Sequence, residues 1–370
     1  MGFHLTTGNA QVVFYLIVVL AVLSLILIAA VILFKMTRDR LERNSAALQA
    51  RIQTVWESGD AAQLRTVAEE IDRGGVHQQS DLTLVCNRTA GASWWTPERE
   101  SEVQQSFIDA GLAARLQRQL TGRNTLRRGL SVYLAGFPCW HVDPAAIESF
   151  TLDEEPTIRM AAVGALERIA TPPAADALIT ALEQQHLART RIIERLGHDW
   201  AVPSMLTAMD KPGQTWEIRS DLLRAMAMAA DARSIERALL SATSDYKFER
   251  MQAMRVLAAT YAKANDEQKW RISMVAVKTA HDEFANVRSN AIEVLRQIPE
   301  PIEFDMLEGL VGDPDWFVRR GAARALVSLG EEGRRRLTRL AAGIDPFAAQ
   351  RAREELAMHA AFPDYQQAGA

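Results

Sequence analysis

The sequence predicts an all-α protein: an α-solenoid of stacked helical hairpins behind one N-terminal transmembrane helix. Three observations carry this. Residues 12–34, VVFYLIVVLAVLSLILIAAVILF, run without a charge. A helical pattern centred on an arginine recurs at 127, 159, 191, 219, 250, 288, 319 and 351, with gaps between 28 and 38 residues. No segment shows the strict apolar–polar alternation or the Asn-Gly turn of a β-hairpin.

At about 1.5 Å rise per residue, a helix over 12–34 crosses the roughly 30 Å hydrocarbon layer with some tilt. A cleaved signal peptide has a basic start and a shorter apolar core, whereas residues 1–11, MGFHLTTGNAQ, hold no Lys or Arg. An uncleaved anchor is therefore expected. Lys35, Arg38, Arg40 and Arg43 follow the span at once. The positive-inside rule then puts 35–370 in the cytoplasm and the short 1–11 segment outside the inner membrane. Two cysteines, Cys86 and Cys139, are too few for a disulfide framework and fit a reducing compartment.

Residues 35–123 do not keep the period. The spacing predicts a juxtamembrane helix over 35–58, with Leu41, Leu48 and Ile52 on a loose stripe, and a second helix over 60–72 ended by Gly74-Gly75. Together they read as an irregular N-terminal cap, and 73–100 as an insertion in it. Its Trp94-Trp95 pair, before Thr96-Pro97, reads as a plug over the core end or as a recognition loop.

The array is expected over 124–362, before a tail at 363–370. Each unit reads as two helices. The first carries the arginine, as in TIRMAAVGALERIA, WEIRSDLLRAMA, FERMQAMRVLAA, FANVRSNAIEVL and DPDWFVRRGAARAL. A short break follows, such as Thr171-Pro172-Pro173 or Pro299-Glu300-Pro301. A second apolar-periodic run comes next, such as AADALITALE at 174–183 or RISMVAVKTA at 271–280. A period near 31 residues is the mark of a solenoid, in which each unit buries its apolar face against its neighbours.

The pattern resembles the HEAT repeat, in the short bacterial form shared with phycobilin lyases. Its first helix reads Asp, several residues, Val-Arg, then small residues ending in Ala-Leu. Asp153–Leu166, Asp282–Leu295 and Asp313–Leu326 carry the resemblance best, which covers roughly 124–360. Four units share Asp-x5-Arg: Asp153/Arg159, Asp282/Arg288, Asp313/Arg319 and Asp345/Arg351. The resemblance implies that the aspartate lies in the turn before the first helix and that the arginine projects along the seam between units. These residues are thus a structural ladder, in which a guanidinium spans neighbouring backbones and takes a carboxylate. The resemblance implies a fold, and nothing in the residues points to a bilin.

The search for chemistry returns little. A net charge of −4 provides no basic field for nucleic acid. There is no Walker loop, GxGxxG or GxSxG motif. Some HEAT-repeat proteins are di-iron hydroxylases that use His-Glu pairs, but this chain has only His198-Asp199 and His281-Asp282. Cys139 and His141 are too close in sequence to face each other as nucleophile and base. Arg334, Arg335, Arg336 and Arg339 lie among glutamates and read as a solvated face. Trp216 and Trp316 each stand three residues before a repeat arginine, either sealing the turns or forming a spaced aromatic edge.

No catalytic, metal or cofactor residue is assigned. The expected function is a membrane-anchored protein-interaction scaffold or adaptor for a bacterial envelope, secretion, polysaccharide or signalling assembly. Trp94, Trp95, Trp216 and Trp316 are its candidate partner-binding residues. The alternative is a lyase or metal-dependent modifier built on the same repeats.

Overall fold

The computed structural model describes residues 42–74, 76–89, 92–137, 142–184 and 189–361, together with 27, 35, 36 and 38. The expected membrane span over 12–34 lies outside these apart from Leu27, and so do the 1–11 segment, the 363–370 tail and the Cys139/His141 pair. Among the described residues no helix is long and apolar enough to cross a membrane, and there is no strand.

The chain divides into two compact units, Met1–Trp140 and His141–Ala370. The first holds α1 (42–58), α2 (Ala61–Gly74), α3 (Val76–Thr89), α4 (Pro97–Asp109), α5 (Leu112–Leu120) and α6 (Thr125–Ala135). Its core joins Ile52 and Trp56 of α1 to Leu64 and Ile71 of α2, Leu82 and Val85 of α3, and Phe107 of α4. Asp60 starts α2 by accepting the backbone N–H of Ala62 at 3.0 Å and of Gln63 at 3.1 Å. Much of the segment read as an insertion is thus the helix α3. The polar run VHQQSD masks its period, yet Leu82, Val85, Cys86 and Thr89 fall on one buried face. The helix α6, which the repeat phasing groups with the array, packs on α3 and α5 of the first unit.

The second unit opens with α7 (Pro144–Glu148) and continues as pairs: α8 (Pro156–Ile169) with α9 (Pro172–Gln184), α10 (Arg189–Leu196) with α11 (Val202–Met209), and α12 (Trp216–Ala229) with α13 (Ile235–Ser241). Then follow α14 (Lys247–Thr260) with α15 (Asp266–Thr279), α16 (Ala285–Leu295) with α17 (Pro301–Leu310), α18 (Trp316–Ser328) with α19 (Glu331–Ala341), and α20 (Pro346–Ala361). Helix starts are local. Proline opens α8, α17 and α20, where its missing N–H costs nothing. Asn265 and Gln268 form a reciprocal capping box at α15.

This unit is an α-solenoid. The first helices α12, α14, α16, α18 and α20 stack closely on one another in succession, and the second helices α13, α15, α17 and α19 touch one another only lightly, whereas the alanine-rich α9 packs closely on α11. Side-chain size explains the difference. The first helices bury alanines on their contact stripe, among them Ala162, Ala225, Ala253, Ala291 and Ala325, which let backbones approach. Two first helices end on an alanine in the left-handed region, Ala170 at φ 51° and Ala230 at φ 48°.

Candidate interaction surface

The repeat arginines form a two-way link along the seam. Five of them reach back to the main chain that opens their own helix, Arg219 to Gln214 and Arg250 to Ser244 and Asp245 among them. Arg159 Nη1 donates to the carbonyl of Asp153 at 2.7 Å, Arg288 Nη1 to that of Asp282 at 2.8 Å, and Arg319 Nη1 to that of Asp313 at 2.7 Å. In these three pairs the x5 spacing is a guanidinium-to-carbonyl contact, whereas Arg351 of the Asp345/Arg351 pair turns to Glu354 instead. The aspartate carboxylates do two other things. One oxygen accepts the backbone N–H two residues on, at Glu155, Phe284, Asp315 and Phe347, each within 2.8–2.9 Å. In the middle repeats the carboxylate also takes the arginine of the preceding repeat. Arg250 holds Asp282 at 2.6 and 3.1 Å, and Arg288 holds Asp313 through two bonds of 2.7 Å. The Asp282 and Asp313 carboxylates keep Arg250 and Arg288 charged, raising both above the ordinary arginine value against the opposing effect of burial.

The ladder changes residue where the motif weakens. Arg219 pairs with buried Glu249 at 2.7 and 2.9 Å. In the repeat of Arg191 it is Arg189 that crosses to the next unit, binding Asp221. Burial outweighs that arginine and pushes the Asp221 carboxyl above the usual carboxylate range. At the last described helix, Asp345 caps α20 through Phe347 and Ala348, while Arg351 pairs with Glu354 at 2.8 Å and lies over the Trp316 ring.

The four candidate tryptophans fall in three places. Trp95 packs on buried Trp56 with ring centroids 5.3 Å apart, and Trp94 meets Trp95 edge-on at 5.8 Å. Both are half-buried in the first unit. Trp216 stacks on Tyr246 and Phe248 of the next repeat at 5.7 and 5.5 Å. Trp316 is more open and stands edge-on to exposed Phe317 at 5.0 Å. Trp216 and Trp316 thus share a sequence position but not an environment: the following repeat supplies an aromatic cover for the first, whereas Arg320 of its own helix and Arg351 of α20 lie over the second.

An apolar opening lies on the second helices. A groove of about 520 Å³ runs between α13 and α15. Leu240, Trp270 and Met274 line it while remaining 50–65% exposed. Glu236 and Arg271 close one edge as an ion pair of 2.8 Å, and Gln268 donates to the same carboxylate at 3.1 Å. These contacts hold Glu236 below the usual carboxylate range, the Gln268 hydrogen bond most of all. Reading the sequence for tryptophans beside repeat arginines misses Trp270. The signal was available: Trp270 and Met274 are four apart and lie off the buried stripe of Ile272, Ala276 and Thr279.

The arginine-rich stretch 334–339 is paired. Arg336 contacts Asp305, Glu308 and Glu332, Arg334 pairs with Glu331, and Arg339 approaches Glu308. Among the described residues no three His, Cys, Asp or Glu side chains converge as metal ligands.

Two segments match HEAT-type families. Residues 274–357 match the family described as HEAT repeats, and 158–184 match the PBS lyase HEAT-like repeat. No curated protein matches the chain. Among solved structures it is similar to an engineered protein at 15% identity, covering 84% of this chain and 98% of that one, with a TM-score of 0.36. A designed armadillo repeat protein matches at 16% identity, over 58% of this chain and 99% of that one, with a TM-score of 0.30. Kap121p matches at 13% identity, over 83% of this chain and 45% of that one, with a TM-score of 0.36.

Proposed function

We propose that the chain is a membrane-anchored protein-interaction scaffold that docks a protein partner along its second helices. The groove between α13 and α15 carries this reading. Exposed Trp270, Leu240 and Met274 cluster there inside a polar rim, the composition of an interface hot spot. An apolar cluster of this kind on a soluble surface marks a contact to be covered. On the first-helix edge, by contrast, the ladder and the Trp216 stack are satisfied within the chain, and the open Trp316 ring is flanked by Arg320 and Arg351. The uncharged run 12–34 and the basic residues after it support a single-pass anchor in a bacterial inner membrane, with the repeats in the cytoplasm. An anchored scaffold raises the local concentration of its partner at the bilayer, which suits an envelope, secretion, polysaccharide or signalling assembly.

The test is crosslinking and capture from the native membrane with the full chain and with Trp270→Asp. A defined partner captured by the first and lost by the second, at unchanged thermal stability, is the expected result. Equal capture by both would overturn the assignment of the groove. A stoichiometric metal or chromophore in the purified chain would replace the scaffold with an enzyme. Protease cleavage of the repeats from the outer side of the membrane would reverse the topology.

A further inference from the structure

A second surface has the opposite chemistry. Between Asp109 and Asp143 the sequence holds no Asp or Glu, yet it holds Arg115, Arg118, Arg123, Arg127 and Arg128. The fold gathers four of these. Arg115 and Arg118 of α5, Arg123 of the following turn and Arg127 of α6 line one open concavity of about 480 Å³. Arg118, Arg123 and Arg127 are exposed and enter no ion pair among the described residues. The other arginine-rich stretch, 334–339, is neutralised side chain by side chain by Glu331, Glu332, Asp305 and Glu308. Three like charges converging without counter-charges are a cost to the folded chain alone, and a phosphate offers each guanidinium the two-oxygen geometry it prefers. Leu126 stands exposed beside the cluster and supplies an apolar contact.

We propose that this arginine concavity docks on the phosphate groups of anionic phospholipids. The choice of a lipid source rests on the anchor reading above. The concavity follows the uncharged run 12–34 in the same chain, so an anchored chain holds it near a lipid surface at high effective concentration. The chain as a whole carries a net charge of −4, which disfavours a long polyanion such as nucleic acid and leaves a local, surface-bound phosphate as the fitting ligand.

The experiment is amide hydrogen exchange on the full chain in lipid nanodiscs of phosphatidylcholine alone or with added phosphatidylglycerol. Amides of residues 112–130 should exchange about tenfold more slowly in the anionic discs, the slowing should vanish in high salt, and Arg118→Gln/Arg123→Gln/Arg127→Gln should abolish it. The triple Arg→Lys variant should retain only the part of it that charge alone supplies. Equal exchange in both discs would overturn the proposal without any variant. Equal slowing by inorganic phosphate in neutral discs would overturn the lipid source. Failure of the chain to remain in neutral discs would refute the anchor and not the patch, because the same comparison then runs on added vesicles of the two compositions.

Discussion

Arg288 shows what one ladder residue does. Its side chain is only 12% exposed and satisfies two carbonyls and both oxygens of Asp313, itself 8% exposed. Arg288→Ala would leave a buried carboxylate without its cation, and we expect a loss of about 3–5 kcal/mol in urea unfolding. The double variant with Asp313→Asn should lose clearly less than the sum of the singles, since the orphaned charge goes too. Asp231 makes a pH-dependent contribution. Arg233 binds it through 2.8 and 2.9 Å bonds and holds its carboxyl below the usual range. The folded pKa lies below the unfolded one, so this stability is present above pH ~4 and is lost as pH falls through the folded value. Asp231→Asn should therefore cost about 1 kcal/mol at pH 7 and nothing once the wild-type carboxyl is protonated, as read by denaturant midpoints across pH. The sequence shows the aspartates and arginines and their spacing. Which oxygen each guanidinium takes depends on the next repeat, 25 to 32 residues away, and no local pattern encodes that.

Helix ends and close approaches belong to the element scale. Ala170 and Ala230 close α8 and α12 with positive φ, where a Cβ is strained. Replacing either with glycine should raise stability by about 0.5–1 kcal/mol, visible as a higher thermal midpoint. Gly333 is the reverse case. A Cβ there would meet the Leu326 carbonyl oxygen at 1.8 Å, so α19 rests directly on the backbone of α18. Gly333→Ala should force the pair apart at a cost of about 1–3 kcal/mol, with faster amide exchange confined to α19 and its neighbours. The helix α3 belongs here as well. Its polar composition hides a buried face that only packing against α2 and α6 makes necessary.

At the scale of the whole molecule, the second unit is a chain of nearest neighbours. The helix α14 packs between α12 and α16, whereas α20 meets only α18 and α19 as principal neighbours. Stability in such an array is a sum of repeat and interface contributions. Amide protection should therefore peak over α12–α16 and decline toward α20, as read by native-state hydrogen exchange; uniform protection would mean that the unit opens as one block. The same linear stacking makes the two faces differ. Alanine-lined first helices close the seam, and the looser second helices leave room for the groove at Trp270.

Composition and period determined the helical class, the repeat length, the hairpin breaks and the positions of the seam arginines Arg159, Arg219, Arg250, Arg288 and Arg319, because each is a local or periodic property of the chain. Tertiary structure decided the rest. It placed α6 with the first unit, stacked Trp216 under the next repeat while leaving Trp316 open, and brought Leu240 beside Trp270 and Arg118 beside Arg127. Those outcomes depend on which surfaces meet, and surfaces separated by a turn or a whole repeat are chosen by the burial available when the array stacks.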